Sequence, residues 1–151
     1  MSDTITEGIR ITRTFDAPRE LVFAAWTEPA QFAAWFGTAA MAVPLESVTM
    51  DVREGGEWTA LMIPGEGQQI PWRGVYREVD PPARLVFTLA DRDLPADDPG
   101  EIVTVDLADL GDGRTEMTFV QSGGHLDADS YEQARQGWLA FFDSLADTVK
   151  A

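Results

Sequence analysis

Cysteine is absent from the 151 residues, and histidine occurs once, at His125. Disulfides, thiol nucleophiles, thiolate metal sites and His-pair zinc motifs are thereby excluded, and neither a metal nor a cofactor is expected. Basic residues are scarce: 11 Lys and Arg stand against 26 Asp and Glu, a formal net charge of -15. Without a Lys/Arg run, attraction to a phosphate backbone or an anionic bilayer has no electrostatic source, so neither nucleic acid nor membrane is an expected partner. No apolar run approaches the roughly 18 residues of a membrane-spanning helix. Met1–Thr4 has neither the basic nor the apolar region of a secretory leader. A cytoplasmic protein is the expectation.

What the chain does have is apolar and aromatic material. Hydrophobic residues make up 44% and include five Trp and eight Phe, enough for one core in a chain of this length, so residues 1–151 are read as a single domain. Ile9, Ile11 and Phe15 alternate with Arg10, Thr12 and Thr14, the period of a strand buried on one face, with Arg13 falling on the apolar parity. Asp16-Ala17-Pro18 supplies a cap and an early-turn proline for a helix carrying Leu21, Val22, Ala25 and Trp26. Thr27-Glu28-Pro29 restarts a second short helix with Phe32, Trp35 and Phe36, ended by Gly37.

Beyond Val43 the punctuation is Gly and Pro, at Gly55-Gly56, Pro64 to Gly67, Pro81-Pro82, Pro99-Gly100 and Gly111 to Gly113. These breaks predict strands over Glu46–Arg53, Trp58–Ile63, Trp72–Val79, Leu85–Leu89, Ile102–Leu107 and Thr115–Gln121, paired in sequence as an antiparallel meander. Tyr131, Ala134, Trp138, Phe141, Phe142, Leu145 and Val149 then recur at three- and four-residue steps, predicting a helix over Ser130–Lys150 with Asp129 and Glu132 as a capping-box-like start. The class is α+β: a curved antiparallel sheet of six or seven strands around a long C-terminal helix, with two short helices after the first strand.

A bent sheet around one helix leaves a concavity suited to an apolar ligand with a few fixed polar contacts. Alternation places Trp58 and Met62 on one inner face, Trp72, Tyr76 and Glu78 on the next, and Phe87, Phe119 and Gln121 on the later strands. Trp35, Trp138 and Phe142 face them from the helices. The second strand reads either way, with Val48, Met50 and Val52 on one parity and Asp51 and Arg53 on the other; a bulge near Gly55-Gly56 is the device that would reverse it. An inward Glu78 needs a partner, for which Arg13 and Arg53 are candidates. Glu78 is therefore either a structural ion pair or a polar anchor and general acid/base at the cavity floor. His125 lies in the loop before the long helix. Ser122 lacks nucleophile-elbow spacing, and the acidic run from Asp91 to Glu101 lacks EF-hand order, so it reads as a solvated loop.

The motifs as a set resemble a known family. Ile11-x-Arg13-x-Phe15-Asp16-Ala17-Pro18, then Val22-Phe23-x-Ala25-Trp26-Thr27 and Trp35-Phe36-Gly37, are similar to the opening of START-like (SRPBCC) proteins, in the branch named after the activator of the heat-shock-protein-90 ATPase. Asp51-x-Arg53-x-Gly55-Gly56-x-Trp58, Gly74-x-Tyr76-x-Glu78-Val79-Asp80-Pro81-Pro82-x-Arg84-Leu85-Val86-Phe87 and Gly137-Trp138-x-x-Phe141-x-x-Leu145 continue it in order. The resemblance implies a helix-grip fold whose cavity holds hydrophobic small molecules in many relatives, with a minority acting as cyclases or lyases. It transfers no catalytic residue. The eukaryotic activators carry a separate chaperone-binding domain, so a chaperone partner is not expected here.

Three functions follow as expectations. The first is a binding protein that shelters an apolar or aromatic ligand between sheet and long helix, gated near Trp35. Its wall is drawn from Trp35, Arg53, Trp58, Met62, Trp72, Tyr76, Glu78, Phe87, Phe119, Gln121, Trp138 and Phe142. The second is a polyketide-cyclase-like enzyme with Glu78 as candidate acid/base. The third is a co-chaperone or other protein-interaction module. Exposed sheet edges leave a homodimer open.

Overall fold

A computed structural model describes residues 8–36, 42–65, 68–91, 100–123 and 127–149. His125, Gly37 and the acidic run over 92–99 lie outside the described residues, as do Glu66 and Gly67 of the expected Pro64-to-Gly67 turn. Strand β1 (Gly8–Phe15) buries Ile9, Ile11 and Phe15. Arg13, on the same parity, is drawn to the edge of the core, where its guanidinium meets Asp143 at 2.7 Å and lies 5.6 Å from the Phe15 ring centre. Helix α1 (Arg19–Thr27) is entered through an extended Pro18, whose carbonyl accepts from the amides of Leu21 and Val22; no side chain caps it. Glu28 is pushed out of helical geometry by the following proline, and Pro29 opens α2 (Pro29–Trp35) at its first turn, where a missing N–H costs nothing.

The expected second strand shrinks to β2 (Thr49–Met50), preceded by a 3-10 turn at Leu45–Ser47. After Met50 the chain doubles back at once: the Asp51 amide donates to Glu57, and the Arg53 and Gly56 amides bond locally. Val48 is buried and Thr49 exposed, with Met50 and Val52 packed against the core and Asp51 and Arg53 turned to solvent, which settles the parity of this segment. The sheet then runs through β3 (Glu57–Gly65), β4 (Gln68–Asp80), β5 (Arg84–Asp91), β6 (Glu101–Gly111) and β7 (Arg114–Ser122). All pairs are antiparallel, and the spatial order is β1-β7-β6-β5-β4-β3-β2. The meander is as the punctuation predicts, with β1 added at the far edge beside β7.

Helix α3 (Ala128–Val149) lies across this sheet with Tyr131, Trp138, Phe141, Phe142, Leu145 and Val149 buried. Its 22 residues span roughly 33 Å at the usual rise. The cap is Asp127, whose Oδ1 accepts from the Ser130 amide at 2.8 Å, rather than Asp129. Together these elements form an α+β helix grip, a curved seven-stranded antiparallel sheet closed by one long helix and two short ones.

Among the expected site residues, alternation fails on β4. Tyr76 pairs with Phe87 but Glu78 pairs with Val86, so β4 holds one extra residue, Arg77, and its facing reverses. Tyr76 points into the core while Glu78 emerges on the outer face.

Candidate functional site

The groove between sheet and α3 exists, and aromatic side chains fill it. Trp138 packs on Phe119 at 4.6 Å between ring centres, Phe142 on Phe119 at 5.2 Å and Trp138 on Phe142 at 5.6 Å. Trp35 is fully buried and its indole N–H donates to the Ala25 carbonyl at 2.8 Å, fastening α2 to α1. At one end of this packing Trp138 donates to the Gln121 side-chain oxygen at 2.8 Å, and Gln121 donates to Glu101 at 3.2 Å. All three are buried, which joins α3, β7 and β6 by a polar chain in an apolar surround. Trp35, Phe119, Gln121, Trp138 and Phe142 are thus brought together, but as packing and polar ties.

Among the described residues an open space lies to one side, under β2 to β5 and against α1 and α2. It is a small hollow lined by Trp26, Phe32, Met50, Trp58, Tyr76 and Phe87. Its free interior is room for about one water molecule. Trp58, Tyr76 and Phe87 were expected on such a wall from strand parity. Trp26, Phe32 and Met50 were not: the helical spacing of the first two and the open parity of the third mark core and cavity wall alike. Met50 is the only lining residue with appreciable exposure, so the hollow meets solvent beside it.

The wall is apolar with two donors. The Trp26 indole nitrogen is buried and has no hydrogen-bond partner. Burial pushes the Tyr76 phenol well above its ordinary value, and the charge of Asp51 adds to the shift, so the hydroxyl stays protonated. Among the described residues no carboxylate or imidazole lines this space.

The other expected site residues lie apart. Met62 and Trp72 sit on the inner faces of β3 and β4, outside the lining, with the Trp72 indole nitrogen also unpartnered. Arg53 is exposed and pairs with Asp51 at 2.9 Å. Glu78, expected at the cavity floor with Arg13 or Arg53, instead accepts from Arg84 at 3.2 Å on the outer face, and Arg84 also binds both Asp106 oxygens at 2.7 and 2.9 Å. The bulge at Arg77 is the reason, and it removes from the hollow the acid/base group that a cyclase reading requires. Asp106 first, then Glu78, hold the Arg84 guanidinium firmly protonated. Among the described residues no group of three or more His, Asp or Glu side chains is placed to hold a metal ion, and no helix is long and apolar enough to cross a membrane.

A seven-stranded sheet gripping one long helix over an aromatic interior is the architecture of START-like (SRPBCC) proteins. Residues 16–150 match the family described as "Activator of Hsp90 ATPase homolog 1-like protein", and the chain belongs to that family. The crystal structure of protein CV1439 from Chromobacterium violaceum is similar at 30% identity and a TM-score of 0.83, covering 96% of this chain and 98% of that one. Protein NE0264 from Nitrosomonas europaea matches at 24% identity and a TM-score of 0.79, covering 97% and 96%. The AHSA1 protein from Silicibacter pomeroyi matches at 24% and 0.77, covering 93% and 95%. The last two likenesses speak to the fold alone. No curated protein matches the chain.

Proposed function

We propose that this chain is a small-molecule binding protein that shelters a hydrophobic or aromatic ligand inside the grip, without catalysing a reaction on it. One observation carries the reading: the hollow is walled by five buried aromatic rings, one from each of α1, α2, β3, β4 and β5, with the flexible Met50 as its less buried sixth lining residue. Apolar walls gain affinity from area removed from water, at about 25 cal/mol per Å². An unbranched thioether with three rotatable bonds is the side chain best able to yield to a guest. Trp58, Tyr76 and Phe87 are the contact residues on the sheet; Trp26 and Phe32 are those on the helices.

The test is a thermal-shift and native mass spectrometry screen against small apolar compounds. A true ligand at about a hundred times its Kd stabilises by roughly 2.7 kcal/mol, which for a chain of this size raises Tm by about 5–10 °C. Trp58→Ala and Tyr76→Ala should abolish the shift while Glu78→Ala leaves it intact. A screen in which no apolar compound moves Tm or is retained in the gas phase would falsify the reading.

A further inference from the structure

We propose that the hollow selects neutral molecules in which one hydrogen-bond acceptor, a ketone or ester carbonyl, is attached to a single small ring or short chain, and that Trp26 and Tyr76 are the residues that read the acceptor. The inference deepens the binding reading above and rests on it.

The Trp26 indole N–H is a donor with nothing to donate to, on a side chain only 2% exposed, in a wall that contains no carbonyl partner for it. A buried donor left unpaired is a cost that a guest oxygen removes and a guest methylene does not. The Tyr76 phenol on the same wall is kept protonated by burial and by Asp51, so it too presents an O–H rather than a negative oxygen. Two lining residues that each carry a donor ask for an acceptor.

Charge decides which acceptor. No cation lines the space: Arg53 is solvated with Asp51, Arg13 is held by Asp143, and Arg84 lies on the outer face between Glu78 and Asp106. A carboxylate entering here would be desolvated without a counterion and would feel the same Asp51 charge that opposes ionisation of Tyr76. An ammonium has no lone pair for the Trp26 N–H and would leave it orphaned. Size sets the rest. The free interior has room for about one water molecule, so a guest enters only by displacing the flexible Met50, and nothing larger than a single small ring or short chain is accommodated.

The experiment uses four probes of one shape: acetophenone, α-methylstyrene (which replaces the carbonyl oxygen by methylene), benzoate and benzylammonium. Each is titrated into the ¹⁵N-labelled protein while the indole N–H signals are followed, that of Trp26 being assigned by its loss in Trp26→Phe. Acetophenone should bind roughly three- to tenfold tighter than α-methylstyrene, the worth of a hydrogen bond between neutral groups, and should alone move the Trp26 signal downfield. Tyr76→Phe, which keeps the ring and serves if Trp26→Phe does not fold, should shrink that ratio while leaving α-methylstyrene binding in place. Equal binding of ketone and alkene with a stationary Trp26 signal overturns the inference and leaves the binding reading standing. Tighter binding of benzoate or benzylammonium overturns it as well. If no probe binds, both fall.

Discussion

The indole N–H of Trp58 on β3 crosses the intervening strand β4 and donates to the backbone carbonyl of Thr88 on β5 at 3.0 Å. The amide of Val75, opposite on β4, turns instead to the Thr88 hydroxyl at 2.8 Å. A side chain thus occupies a rung of the ladder, and it passes over Gly74, where a Cβ would stand 1.8 Å from the Thr88 oxygen and 2.2 Å from the Trp58 nitrogen. The same tryptophan forms part of the hollow's wall, so its position is set by hydrogen bonding before any guest arrives.

Gly74→Ala should therefore destabilise by about 2–4 kcal/mol, since both colliding groups are fixed. Gly137→Ala is the control: it lies in α3 with nothing within 4 Å of the added carbon and should stabilise by about 0.5–1 kcal/mol. Urea unfolding of the two variants checks both signs. Equal destabilisation would remove the claim that the crossing, rather than glycine loss in general, is what matters.

Trp138→Phe preserves most of the packing on Phe119 and Phe142 but leaves the Gln121 oxygen without its donor. A loss of about 1–3 kcal/mol is expected. Combined with Gln121→Leu the two losses should fall short of their sum, and a double-mutant cycle reads the difference. Strict additivity would mean the polar chain to Glu101 is not a unit.

Glu78→Gln should shift stability by no more than about 1 kcal/mol, because the Arg84 pair is nearly half exposed and Arg84 keeps Asp106. It should leave ligand affinity unchanged. A tenfold or greater loss of affinity in this variant would mean that Glu78 reaches the guest.

Glu78 also shows where reading the chain reaches its limit. The buried stripe of α3 and the inward parities of β5, β6 and β7 follow from spacing, because every third or fourth residue on a helix and every second on a strand shares a face. One inserted residue at Arg77 reverses that parity, and neither glycine nor proline marks the spot. The Val48–Val52 stretch has strand composition but only two paired residues, since the tight return through Gly55 and Gly56 ends the ladder early. Which buried aromatics border empty space is set by how volumes fit across elements, and Trp26 and Phe32 have the spacing of any core residue. Glu101, buried at the head of β6, is preceded by acidic residues and gives no local signal of burial.

Asp127 supplies a pH dependence at the start of α3. The backbone amide of Ser130, then its hydroxyl, hold the carboxyl below its ordinary value of 3.8. A folded-state value lower than the unfolded one contributes stability that is complete above about pH 4 and fades as pH falls through the folded value. Amide exchange at the first turn of α3 should accelerate over that acidic window in the native protein. Asp127→Asn should keep the cap and lose the pH dependence, whereas Asp127→Ala should exchange quickly throughout.

Tyr76 works in the opposite direction. Its folded value lies above the ordinary 10.0, so the stability it contributes is full below pH 10 and lost as pH rises beyond it. Absorbance at the phenolate band should show one tyrosine ionising only as the fold is lost, and Tyr76→Phe should extend stability further into alkali.

The placement of β1 has a consequence for synthesis. Gly8 pairs with Ser122 and Phe15 with Thr115, so this segment leaves the ribosome about a hundred residues ahead of the strand that receives it. At roughly 5–20 residues per second that is a wait of about 5–25 seconds. During that interval Ile9, Ile11 and Phe15 lack the strand they pair beside, and the sheet is incomplete until the last quarter of the chain is being made.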